Sequence, residues 1–277
     1  EDYNKNGLSD LLALEGSSYD LNINMFNHFQ NTITGWPGGK PGADDSTRPE
    51  RKSPNSKRVI IFSPHPDDDV VSMGGTFDRL VSQGHEVHIA YQVKGNIAVS
   101  DHDALKFIEV SKDMFKNESK IPVSELIKEL KNNKPDKIDS QAVRDLKGFI
   151  RKREAIAATR YIGIPDSNTH FMNLPFYDTG RIKKNLPTKK DVLITASLIK
   201  KIKPHQIFAA GDLEDPHGTH KVCLDIILDA IDTLKGEKFI KDCWLWLYRG
   251  AWLDWDVHDI DMAVPMSPAQ VLRKRNA

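Results

Sequence analysis

Four consecutive apolar residues, Val59 to Phe62, interrupt a polar stretch and give way at once to Ser63-Pro64-His65-Pro66-Asp67-Asp68-Asp69. Three of the four are β-branched and none is polar, so the run predicts a strand buried on both faces. Beyond the aspartates, Val70, Val71, Met73, Phe77, Leu80 and Val81 predict a helix over about 70–83, closed by Gly84 at its C-terminal end. Strand and helix then alternate. Residues 85–92, 170–175, 205–210 and 242–249 read as strands, and helical spacing covers 103–115, 123–132, 139–163, 192–203 and 221–234. The tail from Pro265 to Ala277 reads as a surface helix that frays. Such alternation predicts an α/β protein, with a Rossmann-like, doubly wound, mostly parallel sheet carrying helices on both faces.

Residues 1–57 differ in texture. Gly7 to Leu14 and Asn22 to Thr34 suit short helices, but the Gly- and Pro-rich stretch 35–42 cannot continue one, and 44–57 is polar. These residues are expected to form an N-terminal arm and linker anchored by Trp36, ahead of a domain over 58–277 that includes the tail.

Charge narrows the choice of partner. Among 277 residues, 39 Lys and Arg balance 39 Asp and Glu, which argues against binding nucleic acid or an anionic membrane through bulk charge. No apolar run approaches a membrane span and no signal-peptide pattern opens the chain, so a cytoplasmic protein is expected. Because the first residue is Glu, the sequence is expected to be part of a longer one. Cys223 and Cys243 have neither zinc-finger nor disulfide-framework spacing and read as core thiols.

Candidate chemistry gathers at two strand exits. A strand, a tight turn and a helix start form the place where an open parallel sheet puts its ligand. Here that turn carries one imidazole and three carboxylates within five positions. A helix N-cap explains one Asp and leaves the other two and His65 unexplained. Like charges packed together call for a cation, and a metal is the simplest one. The second exit reads Gly211-Asp212-Leu213-Glu214-Asp215-Pro216-His217-Gly218-Thr219-His220. His217 and His220 share a helix face by their i, i+3 spacing, on the same rim as residues 63–69. Alone such a pair is weak; with His65 and the aspartates it makes a set acceptable to zinc, which keeps a water position open in catalytic sites. A dinucleotide site is disfavoured, because the first turn lacks G-x-G-x-x-G and puts negative charge where a pyrophosphate would sit. His85 and His88 lie beside apolar alternation and read as structural, and the charge run 128–137 as a solvated face. Trp244, Trp246 and Tyr248 fall on one strand face, with Trp252 and Trp255 following; core packing is the plainer reading, a sugar-stacking wall the alternative.

Pro64-His65-Pro66-Asp67-Asp68, the Arg151–Glu154 segment before an alanine-rich helix, and Pro216-His217-Gly218-Thr219-His220 together resemble the LmbE / PIG-L family of zinc-dependent N-acetylglucosaminyl deacetylases, over roughly residues 58–250. The resemblance implies His65, Asp68 and His220 as ligands to Zn²⁺ (Fe²⁺ could take the same set), Asp67 as general base and His217 as partner of the oxyanion. Asp69 stands where the family usually has Glu, which touches substrate-side detail and leaves the ligands in place. Lys94, Arg151 and Arg160 are candidates for an anionic substrate group. Residues 1–49, joined to this domain, resemble the junction in two-part bacterial proteins whose first half is glucosamine-6-phosphate deaminase-like. The implied partner is a small amino sugar, phosphorylated or conjugated in some cases, with a fused deaminase-like domain or a homo-oligomer as further associations. The competing expectation is a non-catalytic metal-bearing module that supports the deaminase-like half; the presence of both Asp67 and His217 favours catalysis.

Overall fold

The computed structural model describes residues 2–22, 56–114, 123–132, 138–179, 183–262, 264 and 266–277. They belong to two compact units, one of residues 1–57 with 79–86 and one of 58–78 with 87–277. In the first, α1 (Asp2–Lys5) and α2 (Ser9–Glu15) are separated by a turn at Gly7, and residues 18–22 are helical again. Ser17 starts this last turn by accepting the Asp20 N–H at 3.2 Å. The helix expected over 22–34 and the Trp36 anchor lie outside the described residues.

A five-stranded parallel sheet is formed by β1 (Arg58–Ser63), β2 (Glu86–Tyr91), β3 (Thr169–Phe171), β4 (Gln206–Ala210) and β5 (Trp244–Tyr248), in the order β3-β2-β1-β4-β5. Between them run α3 (Asp68–Ser82), α4 (Asp101–Met114), α5 (Val123–Lys131), α6 (Gln141–Ile162), α7 (Lys189–Ile202) and α8 (Thr219–Thr233), with α9 (Pro268–Asn276) after β5. The strand expected over 170–175 is shorter than the pattern suggested: β3 ends at Phe171, and a 3-10 turn takes up Pro175–Tyr177. Pro175 has no N–H for a ladder, and Asn173 sits at φ 49°, outside strand geometry.

Apolar residues fill both sides of the sheet. Ile60, Phe62, Ala90, Ile207 and Ala209 pack with Ile199 and Ile202 of α7 and Ile227 and Ala230 of α8. Val59, Ile61, Ile89 and Phe208, which alternate with them, are equally buried, so the opposite face is covered too. Ile207 sits at the centre of this core, paired with Ile60 on one side and Leu245 on the other. Ile207→Ala is therefore expected to cost about 2–5 kcal/mol in denaturant unfolding; a loss under about 1 kcal/mol would show that the site collapses around the cavity. A separate cluster of Ala104, Ile108, Leu126, Leu130, Val143 and Ile150 ties α4 and α5 to α6. No helix among the described residues is long and apolar enough to cross a membrane.

The strand order sets where a site can form. The chain runs outward from β1 through β2 to β3, then returns to β4 on the other side of β1 and continues to β5. The connections leaving β1 and β4 therefore diverge in opposite directions, opening a crevice at their C-terminal ends. Both sequence motifs lie there.

Candidate active site

The β1 exit is held from several sides. The Ser63 carbonyl accepts Gln92 N–H at 2.9 Å and the Pro64 carbonyl accepts Val93 N–H at 3.1 Å, locking the loop after β2 against the loop after β1. Gly95 is required at this contact: it has φ 63°, and a Cβ there would lie 2.7 Å from Pro66 Cδ. The His65 N–H donates to Asp68 Oδ2 at 2.8 Å, so the carboxylate at the start of α3 closes its own turn.

The β4 exit is organised by two aspartates that sequence reasoning did not single out. Asp215 accepts the backbone N–H groups of His217, Thr219 and His220 at 3.1, 2.6 and 3.2 Å, which caps the start of α8 after the left-handed Gly218. Those bonds lower its pKa although burial opposes them. Asp212 is almost fully buried, and its Oδ2 accepts the N–H groups of Ala251, Trp252 and Leu253 at 3.1, 2.5 and 3.2 Å. Its carbonyl accepts from His220 Nδ1 at 3.0 Å, which places the proton on Nδ1 and directs Nε2 towards Asp68. An Asp just upstream of a helix start is a visible capping signal for Asp215; the second span, to residues 251–253, had none.

His65, Asp68 and His220 come together. Asp68 Oδ2 is 3.2 Å from His65 Nδ1 and 3.2 Å from His220 Nε2. Donor atoms of the three all lie within 4.8 Å of one another, a grouping able to hold a metal ion. Burial works against an ionised Asp68, but the hydrogen bonds of His220 and His65 outweigh it and hold the carboxyl well below the usual range. Burial likewise disfavours a charged His220, and Asp68 outweighs it, so the His220 pKa is raised. Two imidazoles and one carboxylate, with the second nitrogen of His220 already held by a carbonyl, suit Zn²⁺ or Fe²⁺ in donor type. The one further cluster of this kind among the described residues, Asp256, His258 and Asp259, is exposed.

A cavity of about 340 Å³ opens over the three residues. Asp67 and His217 line it, and neither belongs to the donor group. Arg151 lines it too, projecting from α6 with Nη2 2.8 Å from Asp67 Oδ2. Tyr177, Lys184 and Trp252 complete the wall from segments without periodicity. Three other expected substrate contacts lie elsewhere. Asp69 is wholly buried: it accepts the Tyr91 hydroxyl at 2.8 Å, and burial pushes its carboxyl up to about 6 against that bond. Lys94 is drawn away by Asp145 and Asp178, each at 3.2 Å, and does not line the cavity. Arg160 is exposed and forms a two-pronged pair with Asp166. The aromatics divide as well. Trp244 and Trp246 stack at 5.4 Å, Tyr248 is buried and donates to the Phe62 carbonyl at 2.8 Å, Trp255 lies under the Arg249 guanidinium, and of these four tryptophans and one tyrosine Trp252 alone lines the cavity.

A parallel α/β sheet with a His-Asp-His group at its switch-point crevice defines the class: an open-sheet protein with a group able to hold a metal ion at its ligand-binding edge. Residues 60–231 match the PIG-L family, GlcNAc-PI de-N-acetylase, and the chain belongs to that family. It is 54% identical over 286 residues to a protein of Bacteroides thetaiotaomicron described as glucosamine-6-phosphate deaminase-like; the match takes in all of this chain and 43% of that protein, less than half its length. Among solved structures, it is similar to N,N'-diacetylchitobiose deacetylase from Pyrococcus horikoshii, at 14% identity and a TM-score of 0.47, covering 91% of this chain and 77% of that one. It is also similar to the 4-carboxy-2-hydroxymuconate hydratase GalB of Pseudomonas putida, at 17% identity and a TM-score of 0.41, covering 66% and 59%. Likenesses at this level do not extend to chemistry.

Proposed function

We propose that this protein is a zinc-dependent N-deacetylase that removes the acetyl group from the N-acetyl amide of an amino sugar. The observation that carries this reading is the position of Asp67, a carboxylate on the cavity wall directly beside the His65-Asp68-His220 group and outside it. His65, Asp68 and His220 would hold the metal, which when bound polarises the amide carbonyl and acidifies water. Asp67 takes the proton from the attacking water. Arg151 keeps the Asp67 carboxylate fixed in the wall while it does so. His217 donates a hydrogen bond to the oxygen on which charge develops. Asp67 then returns the proton to the departing nitrogen, and acetate and a free amino sugar leave.

Acetate release from N-acetylglucosamine and from its 6-phosphate, by protein stripped of metal and then reloaded with zinc, tests the reading. Release that appears only on reloading is the expected result. No release from either sugar with about one zinc bound per chain would overturn it in favour of a metal-bearing module serving a longer protein. That second reading is favoured by one fact, the share of the Bacteroides relative that this chain spans.

A further inference from the structure

We propose that the cavity takes an amino sugar whose glycosidic oxygen carries an apolar aryl-type group, and that Trp252 is the specificity-determining residue for that group. The proposal rests on the deacetylase reading above for the amino sugar. Trp252, Val71 and Ile97 line the same cavity as His65, Asp68 and His220, and they are 52%, 49% and 41% exposed. Each belongs to a different segment: the loop after β5, the first turn of α3 and the 3-10 turn Asn96–Ala98 after β2. Two close approaches bring these segments together. A Cβ on Gly250 would lie 3.5 Å from Ser72 Cα, so the loop after β5 runs beside Val71. The contact of Gly95 with Pro66 sets the 3-10 turn against the loop that leads into α3.

One exposed apolar side chain needs no ligand to explain it. Three that converge on one cavity from three segments leave apolar surface in water that a bound group can cover. The acetyl group does not account for them, because it brings a single methyl and leaves with the acid half of the reaction. The apolar group therefore belongs to the amine half. A second sugar ring would stack on an indole, yet its hydroxyls would find no polar partner on Val71 or Ile97. An aryl ring suits all three side chains. At about 340 Å³ the cavity falls in the size range of sites that hold drug-sized ligands. Trp252 is also well placed to keep one position. The buried Asp212 carboxylate accepts its backbone N–H together with those of Ala251 and Leu253, which fixes the loop whatever side chain residue 252 carries.

Binding can be read separately from turnover. Calorimetric titration of the whole protein with methyl β-glucosaminide, phenyl β-glucosaminide and chitobiose, the disaccharide of glucosamine, makes the test. The phenyl glycoside should bind about tenfold or more tightly than the methyl one, and chitobiose within about threefold of the methyl one. Trp252→Ala should abolish the phenyl advantage, and Trp252→Phe should keep it to within about threefold. Val71→Thr, which preserves shape and trades a methyl for a hydroxyl, should reduce it by about threefold. Equal binding of the phenyl and methyl glycosides would overturn the proposal. So would an advantage that survives in Trp252→Ala, is undiminished in Val71→Thr, or is lost equally in Trp252→Phe. Chitobiose binding as tightly as the phenyl glycoside would overturn it in favour of a sugar-stacking wall. These titrations need no turnover, so a protein that releases no acetate but keeps the Trp252-dependent preference would fail the deacetylase reading alone.

Discussion

Asp67→Asn should lower turnover by about 10²–10⁴-fold while leaving the metal content of the protein unchanged. The substitution keeps the shape of the side chain and removes its ability to take a proton. Asp67 is half exposed on the cavity wall and contributes no atom to the donor group, so the proposed ligands keep their places. Its backbone carbonyl still accepts the Val71 N–H at 2.9 Å, and the first turn of α3 is preserved. The one local cost is the ion pair with Arg151, which is half solvated on the Asp67 side and worth little to stability. Steady-state rates and metal analysis on the same preparation make the check. An Asn variant that turns over normally would remove Asp67 from the role of base; one that loses its metal would instead place Asp67 in the coordination shell.

The opposite pattern is expected for His220→Ala and His65→Ala, with metal content falling well below one per chain and activity falling with it. Removing one of three protein ligands leaves a two-donor site, which binds zinc far more weakly. His220 is 2% exposed, and its loss also strips the buried Asp68 of a hydrogen-bonding partner. An uncompensated buried carboxylate is costly, about 3–5 kcal/mol when a paired partner is removed, so His220→Ala should also melt earlier than wild type. His65 is more exposed and its backbone N–H still bonds Asp68, so His65→Ala should lose metal with a smaller loss of stability. Metal analysis after dialysis, together with thermal unfolding, separates the two effects. Full metal occupancy in both variants would refute the assignment of His65 and His220 as ligands.

Much of the site was legible in the sequence because its chemistry is concentrated in two short strand exits. His65, Asp67 and Asp68 lie within four positions, and His217 and His220 within four more, each group in the loop or helix start that follows an apolar run read as a buried strand. Local order puts each group after the C-terminal end of its own strand. The cations were not legible in the same way. Lys94 follows a strand just as His65 does, yet Asp145 and Asp178, 51 and 84 residues further on, turn it aside. Lys184 lies in a stretch with no periodicity, and only the folded chain sets its ammonium 3.7 Å over the Tyr177 ring. Asp69 shares its motif with two site residues but starts a helix whose next turn of the backbone carries it inward to Tyr91.

By itself the sequence determined the element types, the parallel α/β class and the proposed ligand set, because hydrophobic period and motif chemistry are properties of neighbouring residues. The tertiary structure decided the strand order that places β4 beside β1 and so joins motifs about 150 residues apart, as their numbering shows. It also decided which charges face the cavity. A charged side chain goes where its partners are, and those partners come from distant segments that only the folded chain brings within reach.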